Sequence, residues 1–70
     1  MDKIFDLLDL YGIRDYCKVK CTPELLYSIE FEYKGYYTTF SFFEYEFGSA
    51  GYYYYIQTII SSLADIVKAF

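Results

Sequence analysis

The sequence has no histidine and no tryptophan, and only one proline and four glycines in 70 residues. Without histidine, the side chain that most often acts as a general base or as a neutral metal ligand is missing. The sequence contains no Gly-rich phosphate loop and no serine beside an obvious base. The carboxylate pairs Glu30/Glu32 and Glu44/Glu46 remain, but such pairs on an open sheet usually form a solvated face. We therefore expect a protein that is not an enzyme and uses no cofactor.

Cysteine is also scarce, with Cys17 and Cys21 alone. Four residues along a strand separate their Cα atoms by roughly 13 Å, whereas a disulfide needs about 7 Å or less. One chain without histidine or a second cysteine pair lacks the ligands for a zinc site. We predict buried free thiols in a reducing cytoplasm, with a metal or redox role as the alternative.

Basic residues are few, six against ten acidic ones, which gives a net charge of −4. Acidic and basic residues balance over residues 1–20, so the whole excess of negative charge lies after residue 20. That part of the chain carries Glu24, Glu30, Glu32, Glu44, Glu46 and Asp65 against Lys34 and Lys68. Such a surface repels phosphates and attracts basic patches. Direct binding of nucleic acid is therefore disfavoured.

Long uncharged apolar runs are absent as well. The amino terminus carries acidic residues where a signal peptide would be apolar, and Gln57, Asp65 and Lys68 interrupt the apolar stretch from residue 52 to residue 70. We expect a cytoplasmic protein with no membrane partner.

Aromatic residues are abundant, with 11 tyrosines and 7 phenylalanines. A chain of this length builds one thin core, so we predict a single domain over residues 1–70. Some of the rings must then remain exposed.

Two helices are predicted at the ends of the chain. In the first, apolar residues from Ile4 to Tyr11 recur at helical spacing after Asp2, the predicted N-cap, and Gly12 ends the helix with Ile13 packed on Leu8. The last helix follows "FGSAG", with Ser49 as its N-cap. Its apolar stripe consists of Ile56, Ile59, Ile60, Leu63, Ile66, Val67 and Phe70.

Three antiparallel strands are predicted between the helices. "YCKVKCT" and "LLYSIEFEYK" alternate strictly, and Thr22, Pro23 and Glu24 separate them. A two-residue loop at Lys34 and Gly35 pairs Tyr33 with Tyr36 and begins the third strand.

The third strand changes its pattern at Phe42 and Phe43, where apolar residues move from even to odd positions. A β-bulge there keeps one apolar face and brings Glu44 and Glu46 to the side of Glu30 and Glu32. Alternatively, the strand outlasts its partner and these glutamates stand apart.

The four consecutive tyrosines, Tyr52 to Tyr55, fall in the first turns of the last helix and point in different directions. We predict that Tyr52 and Tyr53 close the core and that Tyr54 and Tyr55 project away from it.

The predicted fold is therefore α+β, with an N-terminal helix, a three-stranded antiparallel sheet, and a C-terminal amphipathic helix packed on one sheet face. This order, from "DKIFDLLDLYGIRDYCKVKC" to "YYYYIQTIISSLADIVKAF", resembles that of the small acidic phage-type anti-CRISPR proteins. The resemblance implies a protein that occupies a nucleic-acid-binding surface by imitating its charge. That group shares no catalytic motif, so no site residue is transferred.

Tyrosine is common at interface centres, because its ring is large and its hydroxyl tolerates water. We predict a partner-binding face that contacts a basic protein surface, such as that of a CRISPR effector or another nuclease. Its residues are Glu30, Glu32, Tyr37, Glu44, Glu46, Tyr54 and Tyr55, with Tyr16 nearby. One alternative is an ordinary half-buried sheet face on which Lys18 and Lys20 neutralise Glu30 and Glu32. Others are a homodimeric structural or adaptor subunit, or an antitoxin-like regulator, that associates through aromatic surface.

Overall fold

The computed structural model describes residues 3–69 and contains three α-helices and one three-stranded sheet. The order along the chain is α1 (Lys3–Leu10), a 3₁₀ turn (Arg14–Tyr16), β1 (Cys17–Cys21), β2 (Leu26–Tyr33), β3 (Tyr36–Phe43), α2 (Glu44–Phe47) and α3 (Ala50–Ala69). The sheet is antiparallel in the order β1-β2-β3. The predicted α+β arrangement is confirmed, with α2 as an additional element. The predicted N-cap Asp2 and the last stripe residue Phe70 lie outside the described residues.

Helix α1 ends as its sequence predicts. Gly12 has a φ of 73°, in the left-handed region that favours glycine, and the N–H of Ile13 donates to the Leu8 carbonyl at 3.1 Å. Leu8 and Ile13 are both fully buried. This Schellman arrangement turns the chain directly towards β1.

The hairpin between β2 and β3 has the predicted loop and register. Lys34 and Gly35 have φ values of 48° and 87°, the pair of positive values that a type I′ turn requires. Tyr33 therefore pairs with Tyr36, and the ladder continues to Leu26 opposite Phe43. One face of β2 is consequently buried at Tyr27, Ile29 and Phe31.

The predicted β-bulge at Phe42 and Phe43 is wrong, because β3 ends at Phe43 and the chain enters α2. A bulge and a strand-to-helix junction both shift apolar positions by one residue. The N–H of Phe43 donates to Glu46 Oε1 at 2.9 Å, which is one half of a capping box. Phe47, the last residue of α2, buries its side chain in the core.

Helix α3 begins at the predicted cap. The hydroxyl of Ser49 accepts the N–H of Tyr52 at 3.2 Å. The fully or nearly fully buried positions of the helix are Ile56, Ile60, Leu63 and Ala64. Ala64 was missing from the predicted stripe, since a small side chain adds little to an apolar pattern.

One cluster of buried side chains includes residues from both long helices, the sheet and α2. Phe42 is central to it: its ring centroid lies 5.6 Å from that of Tyr27, 5.2 Å from Phe47 and 6.5 Å from Tyr52. The contact with Tyr52 joins β3 to the start of α3. That α3 packs along one sheet face stays a prediction.

Both cysteines are free, but the prediction that both are buried is wrong for Cys21. Cys21 is exposed because it ends β1, an edge strand, whereas Cys17 is half-buried. Burial raises the pKa of the Cys17 thiol to about 11, so this thiol is protonated at neutral pH.

Across residues 3–69, no helix is both long enough and apolar enough to cross a bilayer.

Candidate protein-binding site

The polar face of the sheet brings three of the predicted site residues together. Alternation along β2 and β3 places Glu30, Glu32 and Tyr37 on this face, and the register sets Glu32 directly opposite Tyr37. Lys18 on β1 stands opposite Glu30. Glu30 thus lies at the centre of the face, with a neighbour on each side.

Glu30 has two partners in this arrangement. Lys20 Nζ lies 2.9 Å from its Oε2 atom, and the Tyr37 hydroxyl donates to its Oε1 atom at 3.3 Å. The hydrogen bond and charge of Lys20 hold the pKa of Glu30 below its usual range. In return, the Glu30 carboxylate raises the pKa of Lys20. Such a pair on the surface orients side chains more than it stabilises the fold.

The alternative in which lysines neutralise both glutamates is therefore met for Glu30 alone, because Glu32 has no ion pair in the part of the chain described. Partial desolvation of the hydroxyl raises the pKa of Tyr37, followed by the Glu30 carboxylate and then by that of Glu32. The face consequently keeps one carboxylate that is free to meet a cation of a partner.

A groove of about 190 Å³ opens beside these side chains. Its walls combine carboxylates, two tyrosine rings and one ammonium group. The sheet-face site is defined here by the residues that line the groove: Asp15, Tyr16, Cys17, Lys18, Glu30, Glu32 and Tyr37. A groove with such walls can accept a cationic side chain between rings and carboxylates.

Asp15 was missed by the sequence analysis. It lies in the 3₁₀ turn before β1, where strand alternation does not assign a side chain to a face. Tyr16, which follows it, is 37% exposed and packs edge-on against Tyr33 with ring centroids 4.7 Å apart. The usable signal for Asp15 was its position alone, since it lies two residues before the first residue of β1.

Glu44 and Glu46 do not join Glu30 and Glu32 on this face. Glu44 Oε2 accepts the hydroxyl of Tyr27, a residue of the buried face, at 3.2 Å, and Glu46 caps Phe43. Both carboxylates belong to α2, so the expected cluster of four carboxylates is not formed.

Tyr54 and Tyr55 project from α3 as predicted and are 70% and 57% exposed. With Glu44 and Glu46, which lie on α2, they are called here the helix-end group. The half-buried Tyr52 relates only two of its members: its ring lies 5.6 Å from that of Tyr55, and burial followed by the Glu46 carboxylate raises its pKa. Tyr54 instead lines a different groove, together with Tyr11 and Gln57. Within residues 3–69, no hydrogen bond, ion pair or ring contact joins this group to the sheet-face site.

Tyr45 is a further exposed ring. As an odd position after Phe43 it would have lain on the apolar face beyond the predicted bulge, whereas α2 leaves it 79% exposed and stacked on Phe43 at 5.7 Å.

Within residues 3–69, no group of three or more cysteine and carboxylate side chains is arranged to hold a metal ion. Comparison of the chain with protein-family models, curated proteins and solved structures finds no match. The function is therefore inferred from the site itself.

Proposed function

We propose that this protein is a non-enzymatic inhibitor that binds a basic, nucleic-acid-binding surface of a protein partner through its sheet-face site. The observation that carries the proposal is the exposed Tyr37 ring beside Glu30 and the unpaired Glu32 on an open sheet face. An aromatic anchor next to carboxylates complements the arginine and lysine side chains that line nucleic-acid channels. A CRISPR effector nuclease in a host cytoplasm is a partner with such a surface, and the resemblance to phage-type anti-CRISPR proteins supports this choice.

The local charge favours a mixed contact over charge mimicry. Around the groove, Asp15, Glu30 and Glu32 are offset by Lys18 and Lys20, which leaves an excess of one negative charge. Ring contact must therefore supply much of the affinity, and charge mainly guides the encounter. The helix-end group is proposed as a second, separate contact.

Inhibition of DNA cleavage by purified CRISPR effector nucleases tests the proposal. We expect inhibition that weakens as salt concentration rises, because screening reduces the electrostatic part of binding. Tyr37→Ala should weaken inhibition at least about fivefold, since it removes the central ring. Glu32→Gln should weaken it by up to about fivefold.

Glu24→Gln is the matched control, because Glu24 is exposed in the β1–β2 loop and lies outside the groove. It removes the same charge and should leave inhibition unchanged. An equal loss in Glu24→Gln and Glu32→Gln would show that only net charge matters. Absence of binding to every effector would refute the choice of partner.

A further inference from the structure

Strand β3 is one edge of the sheet, so half of its backbone groups point away from β2. The two-residue hairpin makes Tyr33 and Tyr36 a hydrogen-bonded pair, and alternation then directs the backbone of Tyr37, Thr39 and Ser41 outward. The junction with α2 agrees with this alternation: Glu44 N–H donates back to the Leu25 carbonyl, whereas Phe43 N–H faces out and meets Glu46.

This edge lacks the features that usually prevent strands from pairing between molecules. Its sequence, YYTTFSFF, contains no charge and no proline, and it is rich in aromatic and β-branched residues. The outward-directed residues Tyr37, Thr39 and Ser41 are all exposed. The opposite edge, β1, is shorter and carries Lys18 and Lys20. Only the last outward N–H of β3 is blocked, by the carboxylate of Glu46.

We propose that β3 pairs antiparallel with β3 of a second copy, with Thr39 on the two-fold axis. Thr39 then faces its own counterpart, and Tyr37 faces Ser41 of the other chain. Each of these outward-directed pairs exchanges two backbone hydrogen bonds, which gives every free group between Tyr37 and Ser41 a partner. The result is a continuous six-stranded sheet.

A second copy is the occupant that this edge fits, because the strand is uncharged and no like charges oppose each other in the pairing. On the other face of the sheet, Tyr36 is 45% exposed and would lie beside Phe42 of the other chain. The two Glu30 carboxylates, which stand opposite Thr39 on β2, would lie on strands three spacings apart, roughly 14 Å, beyond the screening length of about 8 Å.

The two-fold axis runs perpendicular to the sheet, so both sheet-face sites open on the same side of the dimer. Such a dimer could contact a partner at two points, and bivalency raises affinity without any new contact. The pairing itself does not depend on the proposed function.

Sedimentation equilibrium over a dilution series tests the association. The mean mass should rise from 8.4 kDa towards twice that value with concentration. Thr39→Lys should raise the dissociation constant at least about fivefold, because it sets like charges opposite each other. Thr58→Lys is the matched control, since each threonine hydroxyl donates to a backbone carbonyl and Thr58 lies on α3. A mass of 8.4 kDa up to about 1 mM would overturn the proposal.

Cross-linking tests the register. In a background of Cys17→Ser and Cys21→Ser, Thr39→Cys should form a disulfide-linked dimer on oxidation, because paired Cα atoms lie about 5.5 Å apart. Ser41→Cys on the same face should not, since its counterpart would lie roughly 14 Å away. Preferential linkage through Ser41→Cys would overturn this register. In sedimentation equilibrium, equal mean masses for Thr39→Lys and the unchanged protein would show that the β3 edge is not the dimer interface.

Discussion

Glu30 shows at the scale of one residue how the sheet sets the chemistry of the site. The register places Lys18 opposite it, yet Lys20, two residues further along β1, makes the ion pair. A long lysine side chain reaches diagonal neighbours across a sheet as well as direct ones. The Glu30 carboxylate is thereby held beside Tyr37, and the two side chains together line one wall of the groove.

We predict that the Glu30 carboxyl titrates below its ordinary pKa of 4.5 and that Lys20→Met moves this pKa upward. A lowered folded-state pKa stabilises the fold above the unfolded pKa, and this contribution disappears as pH falls through the folded value. NMR of the side-chain carboxyl carbons measures the titration of Glu30 in the unchanged protein and in Lys20→Met. An unchanged Glu30 pKa in Lys20→Met would show that the ion pair is not formed in solution.

We predict that Tyr27 ionises at a higher pH than an unperturbed tyrosine. Burial, followed by the nearby Cys21 and the Glu44 carboxylate, raises its pKa to about 12. Because the unfolded chain ionises near pH 10, this residue should destabilise the fold as pH rises above 10. Denaturant titration of Tyr27→Phe against the unchanged protein at pH 9 and pH 11 measures the effect. Equal losses of stability in both proteins would contradict it.

At the scale of elements, local sequence determines where the chain turns. Gly12 and Gly35 both occupy left-handed backbone positions, and Ser49 caps α3 with its hydroxyl. Each of these signals acts within a few residues, so the turns and the cap were predictable from the sequence.

We expect Gly35→Ala to destabilise the fold by about 1–2 kcal/mol, because the left-handed conformation of the turn strains any residue with a Cβ atom. Gly51→Ala is the matched control in the first turn of α3, where no atom lies within 4 Å of an added Cβ. It should stabilise the fold by up to about 1 kcal/mol. Chemical denaturation followed by circular dichroism measures both. Equal effects of the same sign would contradict the assignment of the turn.

At the scale of the whole molecule, the small core makes stability depend on a few rings. A chain of 70 residues has a free energy of unfolding of roughly 4–10 kcal/mol. Phe42 is 1% exposed and lies among Tyr27, Phe47 and Tyr52. Its ring joins the sheet to α2 and to the start of α3.

Phe42→Ala should therefore cost about 3–5 kcal/mol and unfold a large fraction of the protein near 37 °C. The neighbouring Phe43→Ala should cost less than about 1.5 kcal/mol, because Phe43 is 38% exposed and mainly stacks on the exposed Tyr45. Thermal denaturation of the two variants distinguishes these effects. Similar melting temperatures would show that Phe42 does not hold the core together.

The part of the site that lies on regular strands was predictable from sequence, and the rest was not. Alternation placed Glu30, Glu32 and Tyr37 on one face because strand periodicity is a local property. The positions of Glu44 and Glu46 depended on whether the chain after Phe43 bulges or becomes helical. Both geometries shift the apolar pattern by one residue, so the pattern could not distinguish them.

The sequence by itself determined α1 and α3, the hairpin register, the turns and the surplus of rings, because each follows from periodicity, backbone conformation or counting over short distances. Only the tertiary structure decided how far each ring is exposed, which lysine meets Glu30 and that Asp15 borders the groove. These outcomes depend on contacts between residues distant in the chain, and such contacts are selected by packing rather than by local pattern.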